Sequence, residues 1–388
     1  SGYDVVRANY QGDIGMHVAK CLWGIMELQD KYKEAKKKDI TEKVKFLGGA
    51  YTYGATAFEE NPTAKDQIVA INEKIYFGSD KEINKIYTET RRWSLKYFDG
   101  IYKKLDTHFD HLYFESEMFR SAIEIVKEFV RREVLVQSNG AVIFEGSKCG
   151  LHDRVFLNSL GLPTYEAKDL ALAKRQFSDY NPEKIIHIVG KEQIEYFKVI
   201  FKVLEEIFPK QKGKEEHLTL GLVSLKDGKM SSRTGNVVLG EWLLDEITKK
   251  TMEMMDGNAR TKAVEISQKV ALSAVKYSFL KTSIKNDIVF DLEESISMSG
   301  DSGPYLLYTV ARIKSIINKA GGFKPKKKVD LENVAEVFAE EKEVLLKLAE
   351  FPEVTVAAAE LTDPSKIAKY LLDLSQAFNN FYHAHQIL

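Results

Sequence analysis

An apolar strand that ends at a glycine and leads into an amphipathic helix is the feature that most constrains the fold. The run IIHIVG, residues 185–190, is followed by KEQIEYFKVIFKVLEEIF, whose apolar residues recur at helical spacing. This order predicts an apolar strand of an open, parallel α/β sheet. Ligands of such sheets bind beyond the carboxyl ends of the strands, which places Gly190, Glu192 and Gln193 near a small molecule. The alternative is that GKEQ is only a solvated helix start.

The remaining patterns predict a chain of more than one domain. Its 388 residues exceed one ordinary hydrophobic core. YDVVRANY, residues 3–10, predicts a strand that is closed by the turn QGDIG and followed by the helix HVAKCLWGIMELQDKY. The segment from about residue 31 to 109 is charged and helical in pattern, and it predicts a helical insertion between strands. VLVQSNGAVIFEG, residues 134–146, predicts a hairpin across its Asn-Gly turn.

Composition excludes some classes of protein. The 56 Lys and Arg residues balance 57 Asp and Glu residues, so any nucleic-acid surface must be local. Cys21 and Cys149 are far apart and match no metal spacing, so we expect buried, reduced thiols in a reducing compartment. The chain shows no apolar run of membrane-spanning length and no signal-peptide pattern at its start. We therefore expect a cytoplasmic protein that does not bind a membrane.

The loop GKMSSRTG, residues 228–235, carries cations and hydroxyls between two glycines. Phosphate oxygens require several short donors and positive charge, which the backbone amides, Lys229, Ser231 and Ser232 would supply. The loop lacks the GxxxxGK[ST] order of a P-loop. Serine and glycine also fill ordinary turns, so a purely structural loop remains the alternative.

Two further groups of residues are candidates for binding. Tyr165 and Asp169 are spaced i, i+4, which is one face of a helix, although such a pair is usually a surface feature. From about residue 303 the sequence predicts helices broken at GGFKPKKK, FPEV and LTDP, with a final helix that still continues at HQIL. The apolar spacing assigns most of the following leucine and phenylalanine positions to the core: Leu306, Leu371, Leu374 and Phe378.

The pentapeptide KMSSR resembles the KMSKS signature of class I aminoacyl-tRNA synthetases, which engages the phosphates of ATP. Further blocks, in the same order along the chain, resemble the arginyl-tRNA synthetase family. They are YDVVRANYQGDIG, PTYEAKDLALA, IVGKEQIEYFKVIF and DIVFDLEESISMSGDSGPYLLYTVARIKSI. The resemblance covers nearly the whole chain, and an ordered set of blocks is far more specific than one short motif.

The resemblance implies an α/β fold with a Rossmann-type class I catalytic domain at residues 1–240, including a helical insertion at about 31–130. A helical linker would follow at 241–302 and an all-helical anticodon-binding domain at 303–388. The implied reaction activates L-arginine with ATP, accompanied by Mg²⁺, and transfers it to tRNA(Arg). No protein-bound metal is implied, and we expect a monomer.

The resemblance also assigns roles to residues. A carboxylate is the natural partner of a guanidinium, so Asp169 would hold the arginine side chain, with Tyr165 and Gln193 beside it. Three residues of the loop would be catalytic: Lys229, Ser231 and Ser232. The ATP-binding residues would be Gly190, Lys229, Met230, Ser231 and Ser232. Contacts to tRNA phosphates or unpaired bases would come from Lys326, Lys327, Asn380, Tyr382 and His383, although a solvated loop and core packing are the ordinary roles of such residues.

One departure from the family pattern concerns the HIGH signature. The candidate DIGMH contains His17, but in the family the signature precedes the strand that YDVVRANYQGD resembles, so we expect His17 to be a structural helix residue. We expect the chain to begin inside the nucleotide-binding domain and to be inactive alone. Two alternatives stay open: a truncated homologue that binds tRNA without catalysis, and another nucleotidyl-transferring Rossmann enzyme. The helical C-terminal third argues against the latter.

Overall fold

The computed structural model describes residues 2–226, 240–254, 260–321 and 337–387, with the side chains of residues 260–262 left out. The chain divides into two compact units. The N-terminal unit comprises Asp4–Ile186 and Ile194–Glu216, and the C-terminal unit comprises Ser1–Tyr3, His187–Gln193 and His217–Leu388.

The N-terminal unit contains a parallel pair of short strands. Strand β1, Ala8–Gln11, pairs along its whole length with β2, His111–Phe114. Parallel strands need a long crossover, and here it consists of five helices that we call the helical layer. They are α1 Met16–Glu27, α2 Gln29–Ala35, α3 Ile40–Glu60, α4 Pro62–Phe77 and α5 Lys81–Lys104.

Side-chain caps and close packing fix the helical layer. Asp39, Asn61 and Asp80 each accept backbone N–H groups at the start of a helix, which satisfies donors that a helix leaves free. Helices α1 and α3 approach closely at Gly24, where an added Cβ would lie 2.1 Å from the carbonyl oxygen of Ala50. The core between the helices is aliphatic and aromatic, and it includes Ile14, Leu22, Trp23, Ile68 and Trp93.

The second part of the N-terminal unit is an antiparallel sheet packed with three helices. The strands are β3 Val136–Ser138, β4 Ala141–Phe144 and β5 Arg154–Leu157, and the helices are α6 Glu115–Arg131, α7 Tyr165–Tyr180 and α8 Ile194–Ile207. The hairpin predicted from the Asn-Gly pair is confirmed, since β3 and β4 pair directly around it. Asn139 and Gly140 have φ of 49° and 77°, the left-handed values that a type I′ turn requires.

The C-terminal unit is mostly helical in its described part. Strand β8, Val223–Leu225, pairs in parallel with β9, Ile288–Phe290. Strand β6, Ile185–Gly190, pairs with β7, Glu215–Leu220, and the first two residues of each strand belong to the N-terminal unit. The helices of this unit are α9 Gly240–Met254, α10 Arg260–Leu280, α11 Leu292–Ser295, α12 Gly303–Lys319, α13 Ala339–Glu360 and α14 Ser365–Ala384. None of the helices in the described ranges is long and apolar enough to cross a membrane.

Helix boundaries in the C-terminal unit correct two predictions. The break predicted at FPEV is wrong, because α13 continues through Pro352. Tertiary contacts override the local signal there: the Tyr370 hydroxyl of α14 donates to the carbonyl of Lys347 at 2.9 Å, and its ring lies 5.4 Å from that of Phe351. The helix predicted at HQIL is also wrong for residues 385–387, the part of that segment that the structure describes, because α14 ends at Ala384.

Several burial and strand predictions are also corrected. The four positions assigned to the core are not fully buried: Leu371 is 41 % exposed, and Leu306, Leu374 and Phe378 are half-buried. The neighbouring helices in the described part of the chain cover α12 and α14 only in part. Cys149 is exposed, because it lies in a short surface 3-10 helix, whereas Cys21 is half-buried and burial raises the pKa of its thiol to about 12. The strand predicted from residue 3 begins only at Ala8, where its pairing with β2 begins. Residues 3–7 lie outside it and are exposed.

Candidate functional site

Tyr165 and Asp169 lie one turn apart at the start of α7. The hydroxyl of Thr164 donates to the carbonyl of Val155 at 2.6 Å, which ties the start of the helix to β5. Because the opposite face of α7 packs against α6, Asp169 is left half-buried and Tyr165 is 56 % exposed. The two side chains therefore stand at the edge of the core, where a ligand can reach them.

Two half-buried tyrosines lie close to the Asp169 carboxylate. The Tyr196 hydroxyl, from α8, donates to Asp169 Oδ2 at 2.6 Å. Burial, and next the charge of Asp169, raise the pKa values of Tyr196 and of Tyr10 in β1 well above their usual range. Tyr10 Oη is buried and makes no hydrogen bond within the described residues. Asp169 thus faces neutral hydroxyl groups that add donors without adding charge.

A buried ion pair lies beside these residues. Glu115, the first residue of α6, pairs with the ammonium of Lys168, which precedes Asp169 in α7. Their side chains are only 7 % and 4 % exposed. Burial raises the pKa of Glu115, and the Lys168 charge opposes that increase. Lys168 Nζ also lies 4.6 Å from the centre of the Tyr165 ring, so the pair contacts a predicted arginine-binding residue.

Sequence reasoning missed Glu115, Lys168, Tyr10 and Tyr196. Glu115 and Lys168 are 53 positions apart, and each resembles an ordinary residue of an amphipathic helix. The one local signal was a charged residue in the segment AKDLALA, which is otherwise mostly apolar. A lysine inside such an apolar run indicates a buried partner.

Gly190 and Gln193 belong to the C-terminal unit, so the prediction that they share one pocket with Asp169 stays a prediction. Gly190 ends β6, and Gln193 ends the 3-10 helix that follows. An added Cβ at Gly190 would lie 2.3 Å from a carboxylate oxygen of Glu192, which is the end of a flexible side chain and can move aside. Lys191 forms an ion pair with Asp287, in which Nζ lies 2.7 Å from Oδ1.

The phosphate-binding candidates lie outside the described residues. This applies to Lys229, Met230, Ser231 and Ser232, and also to Lys326 and Lys327. The strand before the first group, β8, is held by β9 and by an ion pair of 2.6 Å between Lys226 and Asp291. Within the described ranges, no group of three or more His, Cys, Asp or Glu side chains is placed to hold a metal ion.

Two of the candidates on α14, Tyr382 and His383, lie beside an arginine of α12. The guanidinium of Arg312 lies 4.4 Å from the centre of the Tyr382 ring and 4.7 Å from that of Tyr308. It donates to Asn379 Oδ1 at 2.6 Å. His383 and Asn380 are exposed and line a cavity of about 550 Å³ between α13 and α14. Arg312 and Tyr308 were not among the predicted residues.

Comparison with known proteins identifies the family. Residues 1–292 match the profile of the family described as "tRNA synthetases class I (R), catalytic domain". The chain belongs to the arginyl-tRNA synthetase family. Members of this family are ligases of class I, and residues 306–388 match a second profile, the "DALR anticodon binding domain". The class I catalytic fold followed by a helical anticodon domain, as the sequence predicted, is confirmed.

Individual arginyl-tRNA synthetases match along the whole chain. Arginine–tRNA ligase of Bdellovibrio bacteriovorus is 34% identical over 99% of this chain and 66% of its own length. That of Clostridium perfringens is 32% identical over 100% of this chain and 67% of its own. The chain thus spans about two thirds of the length of these relatives. The solved structure of Thermus thermophilus arginyl-tRNA synthetase shares the fold with a TM-score of 0.77 and 24% identity, over 100% of this chain and 69% of that one.

Proposed function

We propose that this chain is the catalytic and anticodon-binding part of an arginine–tRNA ligase. It uses ATP to activate L-arginine as the adenylate and transfers the arginyl group to the 3′ end of tRNA(Arg). The observation that carries the proposal is the half-buried Asp169 carboxylate, held by Tyr196 and close to Tyr10 and the buried Glu115–Lys168 pair, in a chain of this family.

These side chains around Asp169 suit a guanidinium for electrostatic reasons. A guanidinium presents five N–H donors in a flat fork and stays charged at any physiological pH. Asp169 supplies an acceptor that the Tyr196 hydroxyl keeps in one orientation. Glu115 supplies a second carboxylate nearby, since its charge and that of Asp169 both act on Tyr10. Partial burial strengthens these contacts relative to water. Tyr165 would close the pocket from its exposed side.

The reaction itself needs positioning more than a protein nucleophile. The arginine α-carboxylate attacks the α-phosphate of ATP and pyrophosphate leaves, so the enzyme must align the two substrates and neutralise the phosphates. We assign the neutralising role to Lys229, Ser231 and Ser232, with Gly190 and Met230 beside the nucleotide. Mg²⁺ would accompany ATP, because it is usually bound through substrate phosphates and few carboxylates. Gln193 would add a polar contact to arginine.

The remaining assignments concern the domain bounds, the contacts to tRNA and the setting of the protein. We propose a catalytic domain at 1–240 with the insertion at about 31–130, a linker at 241–302, and an anticodon-binding domain at 303–388. Contacts to tRNA would come from Lys326, Lys327, Asn380, Tyr382 and His383. A cytoplasmic location, a monomeric state and independence from membranes complete the proposal.

An Asp169→Asn variant tests the proposal. Arginine-dependent ATP–pyrophosphate exchange would be measured with tRNA present on the full-length protein. A hydrogen bond to a charged group contributes about 1.5–3 kcal/mol, so the KM for arginine should rise by about 10-fold to 150-fold. Asp179→Asn is the matched control, because Asp179 also lies in α7 but pairs with Arg175 at the other end of the helix. An Asp169→Asn enzyme with the KM of the wild type would refute the assignment.

A further inference from the structure

Asp13 is a buried carboxylate that joins three segments of the N-terminal unit. It follows β1, and its side chain is 6 % exposed. Asp13 Oδ1 accepts the backbone N–H of Ser116 at 2.9 Å, and Oδ2 accepts the Ser116 hydroxyl at 2.7 Å. The Tyr87 hydroxyl also donates to Oδ2, at 3.0 Å. Arg91 Nε lies 2.9 Å from Oδ2. Its N–H group does not point at that oxygen, so the contact is an ion pair without a hydrogen bond.

The contact with Ser116 fixes the start of α6. The first N–H groups of a helix have no partner within the helix, and a side chain just before it usually accepts one of them. In α6 that position is Phe114, which makes no such bond. Asp13, 103 positions away in sequence, takes this role instead. Because Glu115 is the residue next to Ser116, Asp13 sets the backbone from which Glu115 reaches Lys168.

The other contacts of Asp13 come from the helical layer. Tyr87 and Arg91 lie one turn apart on α5, so they share one face of that helix. The Arg91 guanidinium also lies 4.0 Å from the centre of the Phe114 ring, directly before Glu115. Helix α5 therefore touches the start of α6 twice, once through Asp13 and once through Phe114.

We propose that Asp13, with Tyr87 and Arg91, is a positioning device that couples the helical layer to the arginine pocket. It acts through the first turn of α6 and the Glu115–Lys168 pair, and it does not touch arginine. A displacement of α5 moves the donors of Asp13, changes the support of Ser116 and reorients Glu115. The proposal rests on the proposed function, because the pocket is assigned there.

Two tyrosine variants separate this coupling from general stability. Tyr87→Phe removes one hydroxyl from the Asp13 carboxylate. Tyr32→Phe is the matched control: Tyr32 is a buried tyrosine of the same layer, and its hydroxyl donates at 2.8 Å to Glu89, a carboxylate of α5 away from Asp13. Both variants lose one hydrogen bond to a charged group, so their stabilities should fall by similar amounts.

The kinetic test compares the two variants in arginine-dependent exchange on the full-length protein with tRNA. Tyr87→Phe should raise the KM for arginine by about 3-fold to 10-fold, part of the full effect of such a hydrogen bond, and change kcat by less than about 2-fold. Tyr32→Phe should change neither. Arg91→Lys, which keeps the charge near Asp13, should retain more affinity than Arg91→Gln. Equal KM values for the two tyrosine variants would overturn the proposal.

A second measurement does not depend on arginine. Hydrogen exchange of the backbone amides at 116–118, in the absence of substrates, should be faster in Tyr87→Phe than in the wild type and unchanged in Tyr32→Phe. Unchanged exchange in Tyr87→Phe would overturn the coupling even if arginine binds. If the wild type fails to bind arginine, the proposed function fails, and the exchange rates still decide whether α5 supports the start of α6.

Discussion

Replacement of Lys168 by methionine should destabilise the N-terminal unit strongly. The variant keeps most of the side-chain volume but removes the ammonium from Glu115, whose carboxylate is 7 % exposed. Removal of one member of a buried ion pair costs about 3–5 kcal/mol, because the remaining charge has lost its partner in a medium that solvates it poorly. Glu115 can take up a proton and so avoid part of this cost. We therefore expect a loss of about 3 kcal/mol at neutral pH, near the lower end of that range.

The loss should depend on pH in a defined direction. Burial already raises the pKa of Glu115 in the folded protein, and removal of Lys168 takes away the main opposing interaction. Between the ordinary value of 4.5 and the raised folded value, the folded state binds more protons than the unfolded state. Stability therefore falls as pH rises through this window. The Lys168→Met variant should lose little stability below the window and the full amount above it.

The assay is urea unfolding followed by tryptophan fluorescence. A Trp242→Phe background leaves Trp23 and Trp93, which lie in the core of the helical layer in contact with α6. Lys103→Met is the control, because Lys103 pairs with Asp99 at the surface and such pairs contribute at most about 1 kcal/mol. The double variant Lys168→Met with Glu115→Gln should recover most of the loss. A Lys168→Met variant no less stable than Lys103→Met, or equally destabilised at all pH values, would refute the reasoning.

Two further predictions concern packing and acid stability. Gly24→Ala should lower the Tm and cost about 1–3 kcal/mol of stability, because the added Cβ would lie 2.1 Å from the Ala50 carbonyl oxygen. Gly49→Ala is the control and should not lower the Tm, because the space around Gly49 is open. Equal Tm values for the two variants would contradict the close packing. A hydrogen bond from Arg175 lowers the pKa of Asp179, so its contribution is present above pH 3.8 and lost as pH falls through the lowered value. Acid titration of the unfolding free energy should show the difference between wild type and Asp179→Asn shrinking with acidity, and a constant difference would contradict it.

Features fixed by neighbouring residues could be predicted from the sequence. The hairpin required left-handed backbone at two adjacent positions, and Asn139 and Gly140 adopt it at little cost. Helix α7 and the strand–glycine–helix order at Gly190 follow from local periodicity. The family itself was evident because its blocks occur in order along the chain.

Features that depend on distant partners could not be predicted. Lys168 resembles one more charged residue in a helix until its partner 53 positions away is known. Asp13 resembles a turn residue, yet it caps a helix 103 positions further along. Pro352 shows the opposite failure, since its local signal is strong and contacts with α14 override it. Periodicity carries information over a few turns, whereas these contacts are set by how the segments pack.

The arrangement of charge around Asp169 also bears on how an arginine would be told apart from a lysine. Glu115 already holds an ammonium, that of Lys168, and a substrate ammonium would offer it only a second point charge of the same kind. A guanidinium is flat and delocalised, and it can donate to two acceptors at once from fixed positions. Asp169, held in one orientation by Tyr196, offers its two carboxylate oxygens to such a fork, and Glu115 adds negative charge from a different helix. If arginine binds as proposed, its selection therefore depends on the geometry that α6 and α7 impose on these carboxylates, and the contact between Asp13 and Ser116 fixes one side of that geometry.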